Sequence, residues 1–169
     1  MIPQSKSVAK TGLLSDQSRA EIDRWIAKYP PDRKQAAVMA ALRIVQDQNG
    51  GWLSVDLIEA VAEYLEIPPI AAHEVATFYT MYDLKPVGRY KVRVCTNISC
   101  LLNGSDRIMT HLQKRLGIKP DETSAGGKFT LKEVECLGAC GGAPMMMVGK
   151  TYYENLTPEK VDDILNKLE

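Results

Sequence analysis

Four cysteines are the residues in this sequence best suited to chemistry, and they come as two close pairs. Cys95 and Cys100 enclose four residues, and Cys136 and Cys140 enclose three. Two pairs delivered by neighbouring loops can converge on one small object. Four thiolates suit a 2Fe–2S cluster or a structural zinc. Zinc knuckles usually draw a pair from C-x2-C, because one tight turn must bring both sulfurs to one ion. The longer gaps here suit a wider, two-iron object. The run Cys136-Leu137-Gly138-Ala139-Cys140-Gly141-Gly142-Ala143-Pro144 points the same way. Its small residues let backbone amides approach sulfur, and such bonds stabilise a cluster's negative charge. Two plainer readings stand beside this one: zinc, and ordinary buried or disulfide-bonded cysteines, since free cysteine is among the most buried residue types. Against the latter, none of the four falls mid-stripe on an amphipathic element. A thioredoxin-type C-x2-C is absent, so dithiol exchange is not the natural chemistry.

The elements that must position these thiols change character near residue 88. Before it, helices alternate with Pro and Gly. Ser18 and Glu21 have capping-box spacing, and Ile22, Trp25, Ile26 and Tyr29 form one helical face. Pro30 and Pro31 end that helix. A second helix is expected over 32–48, with Val38, Leu42 and Val45 inward and Gly50 and Gly51 as its stop. A third starts from a Ser54 cap and carries Leu57, Ile58, Val61 and Leu65. Pro68 and Pro69 break the chain, and a fourth is expected over 70–84. Its Phe78, Tyr79 and Tyr82 read as core or as a partner-facing surface. Residues 85–89, with Pro86 and Gly88, form the boundary, which puts a helical bundle at 1–85 and a second domain at 86–169.

In the second domain the period becomes two. Tyr90, Val92 and Val94 alternate with Lys91 and Arg93, a half-buried strand that delivers Cys95. Asn103, Gly104 and Ser105 open a helix with Ile108, Leu112 and Leu116 inward. Residues 129–136 read as a second strand, and 145–148 and 151–153 as a hairpin about Gly149 and Lys150. Thr157 caps a last helix with Pro158 at its first position. The order is strand, helix, strand, strand, strand, helix.

Other candidates are weaker. His73 and His111 could replace two cysteines in a Rieske centre, but four placed cysteines leave no vacancy, so solvated or capping roles are expected. Met145, Met146 and Met147 read as core filling. Alternation puts Glu133 and Glu135 on one face and Val134 and Cys136 on the other, which limits any effect of those carboxylates on the thiols. Gly138, Gly141 and Gly142 do not have the spacing of a dinucleotide fingerprint, and no P-loop is present.

Composition excludes several classes. In 169 residues, 21 Lys plus Arg balance 21 Asp plus Glu, which argues against a nucleic-acid partner. Hydrophobic content of 45% and charged content of 25% are those of a globular protein. Four cysteines are too few for a disulfide-dense secreted scaffold, and a reducing compartment favours metal or redox roles. The first ten residues lack the apolar core of a signal peptide, and no stretch approaches the roughly 18 apolar residues of a membrane span.

The residues also carry a resemblance. The run Val94-Cys95-Thr96-Asn97-Ile98-Ser99-Cys100 with Asn103-Gly104, the run Glu135 to Cys140, Ala143-Pro144, and the upstream Glu74-Val75-Ala76-Thr77-Phe78-Tyr79 resemble the thioredoxin-like 2Fe–2S ferredoxin family. Within that family the likeness is to the small 2Fe–2S subunits of the NADH-dehydrogenase module of respiratory complex I. It covers roughly residues 15 to 168. The resemblance implies an α+β chain: an N-terminal helical bundle followed by a thioredoxin-like α/β domain carrying one 2Fe–2S cluster. Its ligands map onto Cys95, Cys100, Cys136 and Cys140. It implies electron exchange with the FMN of a larger subunit that binds FMN and NADH. The location implied is cytoplasmic, on the inner membrane through the assembled complex and without direct insertion. The equivalent subunit of an NAD-linked hydrogenase or formate dehydrogenase is the nearest alternative. A zinc-stabilised interaction module is the alternative of another class.

Overall fold

The structure, a computed structural model, describes residues 10–168. Nearly all of the amino-terminal stretch read for a signal peptide lies outside those residues. The chain divides into two compact units between Pro86 and Val87.

The first unit is helical: α1 (Asp16–Ile26), α2 (Val38–Gln48), α3 (Val55–Tyr64) and α4 (Pro69–Phe78), with short 3-10 turns at Lys10–Leu13 and Pro31–Ala37. Its core joins Ile22, Leu42, Val45, Leu53, Ile58, Val61 and Leu65, all essentially buried. Three details differ from the periodicity. The cap of α1 is Ser15, whose hydroxyl accepts from Ser18 N at 3.1 Å, so Ser18 sits inside the first turn. The second helix does not begin at residue 32. After the proline pair Arg33 N donates to Pro30 O at 2.8 Å, and the tighter 3-10 turn satisfies the amides until Ala37.

The fourth helix stops at Phe78, six residues early. The cause is tertiary. Buried Gln46 donates from Nε2 to Met81 O at 3.1 Å and accepts from Asp83 N at 2.8 Å. Tyr82 turns inward and donates to Met39 O at 2.8 Å. These bonds pin the segment after α4 to α2 and override its helical period. Tyr82 is therefore core, whereas Phe78 and Tyr79 are exposed.

The second unit comprises β1 (Tyr90–Cys95), α5 (Ile98–Leu102), α6 (Ser105–Leu116), β2 (Phe129–Val134), β3 (Met146–Val148), β4 (Thr151–Tyr153) and α7 (Pro158–Leu168). The sheet order is β2-β1-β3-β4. β1 and β2 are parallel, as their helical crossover requires, and β3 and β4 form an antiparallel hairpin beside β1. Val92, Val94, Leu131, Met146, Leu112, Val161 and Leu165 fill the core. Gly88 fits where it stands because a Cβ there would lie 2.9 Å from the Phe129 carbonyl carbon. The short helix α5 was not legible as a separate element. β2 also ends two residues earlier than expected. Cys95, the last residue of β1, is opposite Val134, and beyond the Thr96 N to Val134 O bond of 3.1 Å β2 has no partner to pair with.

Candidate metal centre

Parallel pairing decides where the thiols go. β1 and β2 run the same way, so both carboxyl ends open on one edge of the sheet, the edge at which open α/β sheets place their ligands. Cys95 ends β1 and lies 3% exposed. Asn97 then caps α5, its Oδ1 accepting from Ile98 N at 2.7 Å, and α5 carries Cys100, 2% exposed. Cys136 and Cys140 follow β2 in an exposed loop. β3 enters the same edge from the opposite direction, and Cys95 N donates to Met145 O at 3.2 Å. Cys95, Cys100 and Met145 form a small buried cluster, with Leu137, Ala139 and Ala143 packed against it.

The loop pair fits a metal ion. All four cysteines are free thiols, and Cys136 and Cys140 place their Sγ atoms 3.9 Å apart. Two thiolates bound ~2.3 Å from one tetrahedral ion stand ~3.8 Å apart. Gly138, in the left-handed region at φ 79°, turns its amide back to donate to Cys136 Sγ at 3.3 Å. This is the amide-to-sulfur contact that a small-residue loop permits, and a side chain at that φ would be strained.

The buried pair is electrostatically distinct. Burial first, and then a hydrogen bond with Cys95, push the Cys100 thiol up to about 11. Cys140 is close enough for its charge to add to the shift. A thiol held neutral in this way needs a cation to become a thiolate, and a coordinating metal deprotonates it outright. Among the described residues no three His, Cys, Asp or Glu converge on a single point, and the thiols stand as two pairs.

The remaining candidates lie elsewhere. His111 is half-buried and meets Asp162 at 2.9 Å, tying α6 to α7 instead of facing solvent. His73 sits 4.0 Å from Glu59 in the helical unit. Met145 and Met146 are core, as read. Glu133 and Glu135 are exposed and Val134 is buried, as alternation requires, but the carboxylates are engaged. Glu133 Oε1 accepts from Thr96 Oγ1 at 2.9 Å, and Glu135 Oε2 accepts from Asn97 Nδ2 at 2.7 Å. Tyr152 donates to Leu137 O at 2.8 Å, holding the loop from β4. Sequence reasoning missed Thr96, Asn97 and Tyr152. Asn97 could have been found as a helix cap, whereas nothing marks Tyr152.

The profile of the thioredoxin-like [2Fe-2S] ferredoxin family matches residues 22–169. A subunit of the NADH-quinone oxidoreductase of Rickettsia bellii is 52% identical over 143 residues, 85% of this chain and 86% of that protein. The mitochondrial NADH dehydrogenase [ubiquinone] flavoprotein 2 of Dictyostelium discoideum is 40% identical over 154 residues, 91% of this chain and 62% of that protein. A crystal structure of an NAD+-reducing [NiFe]-hydrogenase matches 75% of this chain and 22% of its own, with TM-score 0.64 and 19% identity, a likeness of fold alone.

Proposed function

The chain belongs to the thioredoxin-like [2Fe-2S] ferredoxin family, and from that premise we propose that it is an electron-transfer subunit of an NADH:quinone oxidoreductase. It holds one 2Fe–2S cluster on Cys95, Cys100, Cys136 and Cys140. The observation that carries the site assignment is the 3.9 Å separation of Cys136 and Cys140, together with the delivery of the two pairs after adjacent parallel strands, Cys95 and Cys100 after β1 and Cys136 and Cys140 after β2. The group supplies one-electron exchange when bound. The chain's own residues do the rest. The core side, Cys95 and Cys100, excludes water from two of the ligands. The Gly138 amide donates toward negative sulfur. The exposed side, Cys136 and Cys140, opens toward a redox partner.

That partner is a larger subunit of the same complex carrying FMN and NADH, and assembly with it places the chain at the inner membrane. Among the described residues no helix is long and apolar enough to cross a membrane. Identity across most of both chains favours the quinone-linked complex over a hydrogenase. The helical unit, with Phe78 and Tyr79 exposed, contributes docking surface. The anaerobically purified chain is expected to be brown and to show a rhombic EPR signal on reduction, and Cys136→Ala to lose both. A colourless zinc-bearing protein, or normal cluster content in Cys136→Ala, defeats the assignment.

A further inference from the structure

The two cysteine loops are stitched together by the side chains next to the cysteines. Thr96, which follows Cys95, donates to Glu133 at 2.9 Å, and Asn97 donates to Glu135, the residue before Cys136, at 2.7 Å. Glu133 closes on Thr96 from β2, and Glu135 closes on Asn97 from the bend just after the strand. Asn97 also uses the other end of its amide, accepting from Ile98 N at 2.7 Å at the start of the helix that carries Cys100. One side chain thus sets both the entry of Cys100 and its distance from the Cys136 loop.

We propose that Asn97 and Glu135 are positioning residues, a clasp that holds the buried and exposed cysteine pairs at the separation the cluster needs. Glu135 in addition places a negative charge beside the ligand loop. This rests on the reading of the four cysteines as ligands. The amide–carboxylate bond is charge-assisted and short, which makes it stronger than a neutral surface bond. Two such bonds, on consecutive residues, restrain rotation of one loop against the other where a single bond would leave a pivot.

The two roles separate by substitution. Asn97→Ala removes the bond and the cap and leaves the charge. Glu135→Ala removes bond and charge, and Glu135→Gln keeps an acceptor oxygen and removes the charge. The full-length chain with its cluster is challenged anaerobically with excess iron chelator while visible absorbance is followed. Midpoint potentials come from an EPR redox titration. Loss of an outer partner typically costs about 10–100-fold in metal affinity, and for this exposed pair the lower end applies. Asn97→Ala and Glu135→Ala should each shed the cluster about tenfold faster. The double variant should shed it no faster than the faster single, because both remove one bond. Glu135→Gln keeps the bond in its weaker neutral form, so it should release the cluster more slowly than Glu135→Ala, and it should show a higher midpoint potential, since one negative charge fewer favours the added electron. If Asn97→Ala fails to fold, Glu135→Ala carries the same test. Wild-type release rates in the truncations, fully additive effects in the double variant, or an unmoved potential in Glu135→Gln would overturn the clasp. A wild-type chain that takes up no cluster overturns instead the ligand reading beneath it.

Discussion

Gly142 offers the sharpest test of how the open side of the site is built. It closes the 3-10 turn that begins at Cys140 and is itself buried. A Cβ added there would lie 2.2 Å from Glu154 Oε2 and 2.6 Å from both Glu154 Cβ and Cδ. Carbon atoms pack best at about 3.5–4.0 Å, so the carbon overlap is about 1 Å. The carboxylate can swing away, but the Glu154 Cβ cannot move without its backbone. That backbone is tied: Asn155 N donates to Gly142 O at 2.6 Å and Leu156 N to Pro144 O at 3.0 Å. Overpacking of this kind costs about 1–3 kcal/mol. In a domain of about 60–100 residues, each kcal/mol lowers the melting temperature by about 4–8 °C. Gly142→Ala should therefore melt on the order of 10 °C lower by far-UV circular dichroism. It should also shed its cluster faster, because the turn carries Cys140 with it. Glu154→Gly removes all three colliding atoms, so the double variant should recover most of the loss, a coupling of about 1–2 kcal/mol between touching residues. A Gly142→Ala protein that melts with the wild type, or a double variant with no recovery, would refute the steric account.

Two further outcomes follow from the core of each unit. Burial pushes the Tyr82 phenol up to about 12. An unfolded tyrosine loses its proton near about 10, so this stabilisation is complete below about pH 10 and falls away between about 10 and 12. Tyr82→Phe should cost about 1 kcal/mol at about pH 8 through the lost bond to Met39 O, and should lose less further stability than wild type by about pH 11.5. Urea midpoints at the two pH values decide it, and parallel losses in both proteins would sink the argument. Leu131 is 0% exposed on β2, opposite Val92. Leu131→Ala should cost about 2–5 kcal/mol in urea unfolding and release the cluster with it, whereas a loss below about 1 kcal/mol would contradict its place in the core.

Legibility varied with the range of the interactions involved. Local chemistry was readable: Ser54 accepts from Leu57 N at 3.3 Å as its cap position implies, Thr157 does the same for Lys160 N at 3.3 Å, and the Gly149 hairpin turns where expected. The α+β order and the thioredoxin-like domain were legible because the period of the apolar residues switches at the boundary, and because the cysteine flanks are specific. Tertiary competition was not. Nothing around residue 79 announces that Gln46, far earlier in sequence, will capture the backbone of residues 81 and 83 and end α4. The same limit hid the site's supports. Spacing marked the thiols but could not show that Asn97 reaches Glu135 or that Tyr152 reaches Leu137.

The two halves of the proposed metal centre depend on the fold in different ways. Cys95 continues a strand whose Val92 and Val94 are 0% exposed, so its position is set by the same burial that forms the sheet. Cys100 is held by a five-residue helix, too short to stand without its asparagine cap and the core beneath it. Cys136 and Cys140 are themselves exposed. Their loop packs Leu137, Ala139 and Ala143 against the buried pair and is tied from outside by the Tyr152 hydroxyl, the Asn97 amide to Glu135, and the Asn155 amide to Gly142. Damage to the core side should therefore appear as loss of fold, with the site lost as a consequence. Damage to the open side should appear as loss of the metal group from a chain that keeps its fold. This asymmetry also gives the small residues of the 136–144 run their physical role. Where burial cannot position a sulfur, backbone must, and backbone can reach sulfur and neighbouring strands only where side chains leave room.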